Sequence, residues 1–131
     1  MDRFGLLLCC VDGRYIAQSI VAARRKYQLN YVDVITEPGM DLVLSHQPYK
    51  HACLREESLL AHIYHRMEKL VKAHNVKQII IVAHADCLGN PGCHMHHYVC
   101  LAEAKKRVQS WFPKIPVDRV YIEQDNVNFI H

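Results

Sequence analysis

The chain has 131 residues, of which half are apolar and 22% are charged. This composition excludes an intrinsically disordered chain, and the length predicts one domain over residues 1–131 with a single hydrophobic core. The formal charge of +3 comes from basic residues that are dispersed along the chain rather than gathered in one stripe. We therefore expect no nucleic-acid partner.

The amino-terminal segment, MDRFGLLLCCV, has too short an apolar run for a signal peptide and lacks a small-residue cleavage site. No apolar run approaches the length that spans a membrane. We therefore expect a soluble, cytoplasmic protein with no membrane partner. In that compartment the six cysteines are expected to be metal ligands, catalytic groups or core residues rather than disulfides.

The first part of the sequence alternates between strand and helix patterns. The apolar run from Phe4 to Cys10 is typical of a strand that is buried on both faces of a parallel sheet. Apolar residues at helical spacing predict a helix that begins at Tyr15 and ends before Asn30. The β-branched stretch from Tyr31 to Glu37 predicts a second strand. A loop with at most a short helical turn is expected from Met40 to Lys50.

The second part of the sequence continues this alternation. Arg55 to His74 carries an apolar stripe and predicts an amphipathic helix. Lys77 to His84 is the most hydrophobic strand and is expected at the centre of the sheet. His97 to Phe112 predicts another helix, and a fourth strand begins at Val117. This order predicts an α/β fold with three αβα layers and a mainly parallel four-stranded sheet in the order 2-1-3-4.

Two short motifs stand at the ends of the first and third predicted strands. They are C-V-D-G-R at residues 10–14 and H-A-D-C at residues 84–87. Ligands bind such sheets beyond the carboxyl ends of the strands, so neighbouring strands would bring Cys10, His84 and Cys87 together. Two thiolates and one imidazole suit zinc, with a fourth position left for water or substrate.

Asp12 and Arg14 follow Cys10 closely in the first motif. Arg14 is expected to hold Asp12 ionised and oriented through charge-assisted hydrogen bonds. The carboxylate would then accept the proton of a zinc-bound hydroxide, or it would displace the water and fill the fourth position itself. A simpler interpretation makes Asp12 a helix N-cap and Arg14 a surface arginine. Asp86 either orients His84 or is a solvated turn residue.

The pattern C-x-D-x-R followed by H-x-x-C, with each motif at a strand end, resembles the β-class carbonic anhydrases. The resemblance covers most of the αβ core. It implies that Cys10, His84 and Cys87 hold zinc, with Asp12 and Arg14 as the catalytic pair beside the metal. It also implies reversible hydration of carbon dioxide to bicarbonate by a zinc-bound hydroxide. A homodimer or higher homo-oligomer is expected, because pockets of the family lie at a subunit interface.

One segment departs from the family pattern. The polar R-N-A-G-type stretch that follows the second strand in the family is replaced here by T-E-P-G at residues 36–39, where Gly39 alone matches clearly. Because this stretch helps to line the active-site region, two alternatives stay open. One is a non-catalytic zinc-binding protein of the same fold. The other is a hydrolase of a carbon dioxide analogue such as carbonyl sulfide or carbon disulfide.

A second cluster of metal-ligand residue types, C-H-M-H-H, occupies residues 93–97. Cys93, His94, His96 and His97 have the chemistry of a second metal site or of a proton relay. The interpretation that we favour is a polar loop that opens a helix. The remaining cysteines are expected to be core or packing residues, namely Cys9, Cys53 and Cys100.

Overall fold

The structure is a computed structural model that describes residues 2–45 and 54–130, without the side chains of residues 54–57. Cys53 and the end of the loop predicted from Met40 lie outside the described residues. In chain order the elements are β1 (Phe4–Cys9), α1 (Gly13–Tyr27), β2 (Tyr31–Thr36), α2 (Met40–Ser45), α3 (Leu54–His74), β3 (Gln78–His84), α4 (His94–Trp111), β4 (Val117–Glu123) and β5 (Asn126–Ile130).

The described strands form one five-stranded sheet in the order β2-β1-β3-β4-β5. The first four of them run parallel, which confirms the predicted order 2-1-3-4. Leu8 of β1 pairs with Ile35 of β2 on one side and with Ile81 of β3 on the other. The carboxyl ends of β1 and β3 therefore lie side by side, where an open parallel sheet binds its ligands.

The fifth strand corrects the prediction of a four-stranded sheet. β5 pairs antiparallel with β4, and the pairing of Glu123 with Asn126 leaves Gln124 and Asp125 as the turn. Gln124 has a φ of 54°, a conformation that glycine or asparagine usually supplies in a hairpin turn. The hairpin was missed because its turn carries no Asn-Gly or Asp-Gly signal.

Two helices differ from their predicted extents. α2 forms a six-residue helix where a loop with at most a short helical turn was expected, and it buries Met40 and Leu44, which lie one helical turn apart. α4 begins at His94 rather than at His97, with Cys93 as an extended N-cap residue. Both helices begin within two residues after a Pro-Gly pair, and the prediction extended the loop that each pair indicates into the first turn of the helix.

The alternation of side chains along the strands divides the core into two layers, as a parallel sheet covered on both faces requires. Leu6 and Leu8 face the layer that packs against α2, α3 and α4, whereas Leu7 and Cys9 face the layer that packs against α1. The three-layer αβα prediction and the assignment of Cys9 to the core are thus confirmed. No helix within residues 2–45 and 54–130 is long and apolar enough to cross a membrane.

Candidate metal centre

Three potential metal ligands meet at the carboxyl ends of β1 and β3. Cys10 directly follows β1, His84 is the last residue of β3, and Cys87 lies in the turn that follows. Their ligand atoms all lie within 4.8 Å of one another, and the two sulfur atoms are 3.7 Å apart. The residues are 8%, 1% and 3% exposed, respectively. Within the part of the chain that the structure describes, no other cluster of cysteines, histidines and carboxylates has this geometry.

The imidazole of His84 is oriented so that one nitrogen is left for a ligand. Nδ1 lies 2.7 Å from the carbonyl oxygen of Ala85, which can only accept, so Nδ1 carries the proton and Nε2 keeps its lone pair. Nε2 is buried and has no hydrogen-bond partner among the described residues. The ring stacks on Tyr15 with the centroids 4.3 Å apart. Asp86 is an exposed turn residue with a φ of 54°, so Ala85 rather than Asp86 orients His84.

The unpaired Nε2 beside two thiols fits the donor set of a zinc site. A buried polar atom without a partner needs an explanation, and a metal ion bound at Nε2 of His84 would supply one. A histidine that binds metal through one nitrogen usually donates its other N–H to a carbonyl or carboxylate, as His84 does to Ala85. The residues present therefore fit zinc.

Cys87 lies in a tight turn in which the nitrogen of Asn90 lies 3.3 Å from the carbonyl oxygen of Cys87. The backbone N–H groups of Asn90 and Gly89 are also close enough to the Cys87 sulfur to favour its thiolate form. Burial raises the pKa of the Cys87 thiol, and the two amides oppose that rise. Amides in this position stabilise the thiolate, which is the form that binds a metal.

Asp12 and Arg14 form a closely hydrogen-bonded pair at the start of α1. Nη2 of Arg14 lies 2.6 Å from Oδ2 of Asp12, and Nε lies 3.0 Å from Oδ1. The backbone N–H of Arg14 also donates to Oδ1, so Asp12 is the N-cap of α1 as well. These hydrogen bonds lower the pKa of Asp12 to about 2 and keep it ionised. The pairing with Arg14 and the N-cap of α1 therefore exist together at Asp12.

Arg14 also connects the two motifs. Its Nη2 lies 3.4 Å from the carbonyl oxygen of Asp86, in the turn between His84 and Cys87. Its guanidinium carbon lies 5.3 Å from the ring centroid of Tyr15, the same ring that stacks on His84. The first turn of α1 is thereby held against the end of β3.

The histidine cluster at residues 93–97 begins α4 instead of forming a loop. Cys93, His94 and His96 are exposed, whereas His97 is 0% exposed and its Nδ1 lies 2.7 Å from Oδ2 of Asp41. No metal-binding geometry joins these residues within the described chain, so the structure gives no second metal site here. A proton relay through His94, His96 and His97 stays a prediction.

Two buried polar residues near the metal centre were not singled out from the sequence. Asp41 of α2 and Asn90 of the turn after Cys87 are 2% and 1% exposed, and their side chains lie 3.0 Å apart. Asp41 occurs within an apolar stretch, M-D-L-V-L, where an isolated carboxylate is expensive to bury unless it is hydrogen-bonded. That position was the one available signal.

No protein with a curated description matches the sequence. Among solved structures, the chain is similar to the β-carbonic anhydrase CafA of the fungal pathogen Aspergillus fumigatus, with 13% sequence identity and a TM-score of 0.47. That similarity covers 98% of this chain and 76% of the other. The family model described as "Putative carbonic anhydrase" matches residues 1–130, in agreement with the resemblance of the two motifs. Because that match spans almost the whole sequence, the chain belongs to this carbonic anhydrase family.

Proposed function

We propose that this chain is a zinc-dependent carbonic anhydrase that hydrates carbon dioxide reversibly to bicarbonate. The observation that carries the proposal is the convergence of Cys10, His84 and Cys87 in a chain of the carbonic anhydrase family. Two thiolates and an imidazole suit zinc among the common metals. A zinc ion held by these residues would lower the pKa of a water molecule toward neutrality and so would supply the hydroxide that attacks the carbon of carbon dioxide.

The contacts of Asp12 support a fourth position that is open to water or substrate. Its two carboxylate oxygens take part in four hydrogen bonds from Arg14, so the lone pairs that would otherwise bind the metal are in use. We propose that Arg14 keeps Asp12 ionised as the acceptor that orients the attacking hydroxyl. The longest of the four contacts joins Nε of Arg14 to Oδ2 of Asp12 at 3.2 Å, and we expect the hydrogen bond from the attacking hydroxyl to replace it.

Stopped-flow measurement of carbon dioxide hydration tests this proposal. The protein is assayed at verified zinc occupancy from neutral to alkaline pH, beside a Cys87→Ser variant. We expect activity that rises with pH in the wild type and that is lost in the variant. No hydration at full zinc occupancy would show that the proposal is wrong. Turnover of carbonyl sulfide or carbon disulfide by that same sample would favour the analogue hydrolase.

The burial of the three donors favours one rival, a non-catalytic zinc protein of the same fold. Cys10, His84 and Cys87 are all at most 8% exposed, and structural zinc sites are closed to solvent, whereas catalytic sites keep one position open. Cobalt substitution separates the two. An open site changes its visible absorption when a small anion such as azide is added, and a closed site does not.

We infer that the chain forms a homodimer or a higher homo-oligomer through apolar side chains around the motifs. Val11 and Leu88 directly follow proposed zinc ligands and are 48% and 99% exposed, and Met95 and Val99 of α4 are 59% and 61% exposed. Contiguous apolar patches on a surface mark interaction sites, and we propose that these four side chains belong to one such patch. Sedimentation velocity should give at least twice the chain mass of 15.2 kDa. Leu88→Glu should lower that mass, whereas Val21→Glu, at a half-exposed position on α1, should not.

A further inference from the structure

A network of buried polar side chains joins α2, the turn after β3 and the first turns of α4. Oδ2 of Asp41 accepts from Nδ2 of Asn90 at 3.0 Å and lies 2.7 Å from Nδ1 of His97. All three residues are at most 2% exposed. Oδ1 of Asn90 lies 2.8 Å from Nε2 of His96, and Nδ2 lies 3.7 Å from the sulfur of Cys100.

Asn90 is the member of this network that also touches the metal centre. Its side chain is held by Asp41 and His96, while its backbone nitrogen lies 3.3 Å from the carbonyl oxygen of Cys87. The backbone N–H groups of Asn90 and of the neighbouring Gly89 also lie close enough to the Cys87 sulfur to favour its thiolate form. One residue thus connects a buried carboxylate on α2 with a proposed zinc ligand.

The burial of Asp41 fixes where Asn90 can lie. A buried carboxylate left without its donors loses the full benefit of those hydrogen bonds, so any displacement of the Asn90 side chain is costly. The backbone of the same residue moves with its side chain. The distance between the Asn90 amide and the Cys87 sulfur is therefore set by contacts that lie outside the metal centre.

We propose that Asn90 is a positioning residue for the metal centre. Asp41 and His97 hold Asn90 in place, so that the backbone amides of Gly89 and Asn90 stay directed at the sulfur of Cys87. Hydrogen bonds to a ligand from outside the coordination sphere determine how strongly that ligand donates to the metal and how tightly the metal is held. The inference rests on the proposed binding of zinc by Cys10, His84 and Cys87. Asn90 would then determine the metal affinity without contacting the metal.

The test compares two network variants with a matched control. Asn90→Ala removes the central side chain of the network. Asp41→Asn keeps the shape of the side chain at residue 41, which holds Asn90, but removes its charge. Gln78→Ala is the control, because Gln78 is also buried and its amide donates to two backbone carbonyl groups, of Ile79 and Pro116, at the start of β3. For each protein, the zinc dissociation constant is measured by competition with a chromophoric chelator. The thiolate-to-cobalt absorption band is recorded after cobalt substitution.

We expect Asn90→Ala to weaken zinc binding about 10- to 100-fold and to shift the cobalt band, with a smaller effect of Asp41→Asn in the same direction. Gln78→Ala should lose stability but keep the zinc affinity and the spectrum. If Asn90→Ala fails to fold, Asp41→Asn decides. Zinc affinities and cobalt spectra of the network variants that match those of Gln78→Ala would overturn the proposal.

Metal binding and catalysis are read separately in this experiment. If the wild type binds zinc but does not hydrate carbon dioxide, the proposed function fails, and the effect of Asn90 on affinity still stands. If Cys87→Ser binds zinc as tightly as the wild type, the metal does not lie at Cys87. That outcome would overturn both the proposed site and the role of Asn90.

Discussion

Gly39 and Gly89 pack backbone against backbone, so that a Cβ atom added to Gly39 would lie 2.5 Å from the carbonyl carbon and oxygen of Gly89. The contact joins the T-E-P-G segment after β2 to the turn that carries Cys87. Gly39 also has a φ of 64°, which disfavours any side chain, whereas Gly89 has no such constraint. The requirement for glycine at residue 89 is therefore purely one of space.

Gly89→Ala should push these two segments apart. Its Cβ would collide with the backbone of Pro38 and Gly39, which has no flexible end that could move aside. We expect a loss of about 1–3 kcal/mol in the free energy of unfolding, measured by urea denaturation, and weaker zinc binding. The control is Gly13→Ala in the first turn of α1, where a Cβ meets nothing within 4 Å. Equal stability of the two variants would contradict the prediction.

Cys10→Ser and Cys9→Ser form a matched pair, because the two neighbouring thiols lie in different environments. Burial raises the pKa of Cys9 to about 12, so this thiol stays neutral in the α1-facing core layer. Cys10→Ser should abolish stoichiometric zinc and the rise in melting temperature that zinc confers on the wild type. Cys9→Ser should lower the melting temperature without changing the zinc content. After dialysis, elemental analysis measures the zinc content and calorimetry measures the melting temperature.

The opposite result for this pair would place the metal elsewhere. Stoichiometric zinc in Cys10→Ser, together with loss of zinc in Cys9→Ser, would mean that Cys9 rather than Cys10 is the ligand. Loss of zinc in both variants would indicate that general destabilisation, rather than loss of a ligand, releases the metal.

The parallel strands and the two motifs were accessible from the sequence because each depends on a local pattern. A continuous apolar run predicts a strand buried on both faces, and a motif at its end predicts where the ligands lie. The convergence of Cys10 with His84 and Cys87 then followed from placing β1 beside β3. That neighbour relation is common in doubly wound sheets, so the step from pattern to site was short.

The buried network was not accessible in this way, because none of its members lies at the end of a predicted strand, where the sheet order would bring distant residues together. Asp41 is 49 residues from Asn90 and 56 residues from His97. No spacing rule connects a short helix, a turn and a helix start over such distances. His97 also had the same residue type as its exposed neighbours, and only packing shows that it faces the interior.

Arg14→Gln should raise the pKa of Asp12 toward the ordinary value of about 3.9, because the hydrogen bonds from Arg14 are the main cause of the low pKa, about 2, in the wild type. A carboxyl group with a lowered folded-state pKa adds stability above its unfolded pKa and loses it as the pH falls toward the folded value. The wild type should therefore lose that contribution between about pH 4 and pH 2, and Arg14→Gln should show less of this loss.

The titration is followed by the carboxyl ¹³C shift of Asp12 and by urea denaturation at each pH. The control is Arg66→Gln, since Arg66 pairs with Glu37, at 3.2 Å, rather than with Asp12. That variant should leave the midpoint of Asp12 unchanged. An unchanged midpoint in Arg14→Gln would show that Arg14 does not hold the carboxylate in its ionised form.

The stack of Tyr15 on His84 predicts opposite outcomes for two substitutions of the tyrosine. Tyr15→Phe keeps the ring and should keep both the stability and the zinc affinity. Tyr15→Ala should cost about 3 kcal/mol of stability, because a buried ring is removed, and should weaken zinc binding about 10-fold because the imidazole loses the surface that orients it. Tyr31→Ala, at a position that is 53% exposed, is the control for loss of a tyrosine. Competition with a chelator measures the zinc affinity. If Tyr15→Ala is less stable but binds zinc as tightly as Tyr31→Ala, the stack stabilises the fold without orienting His84.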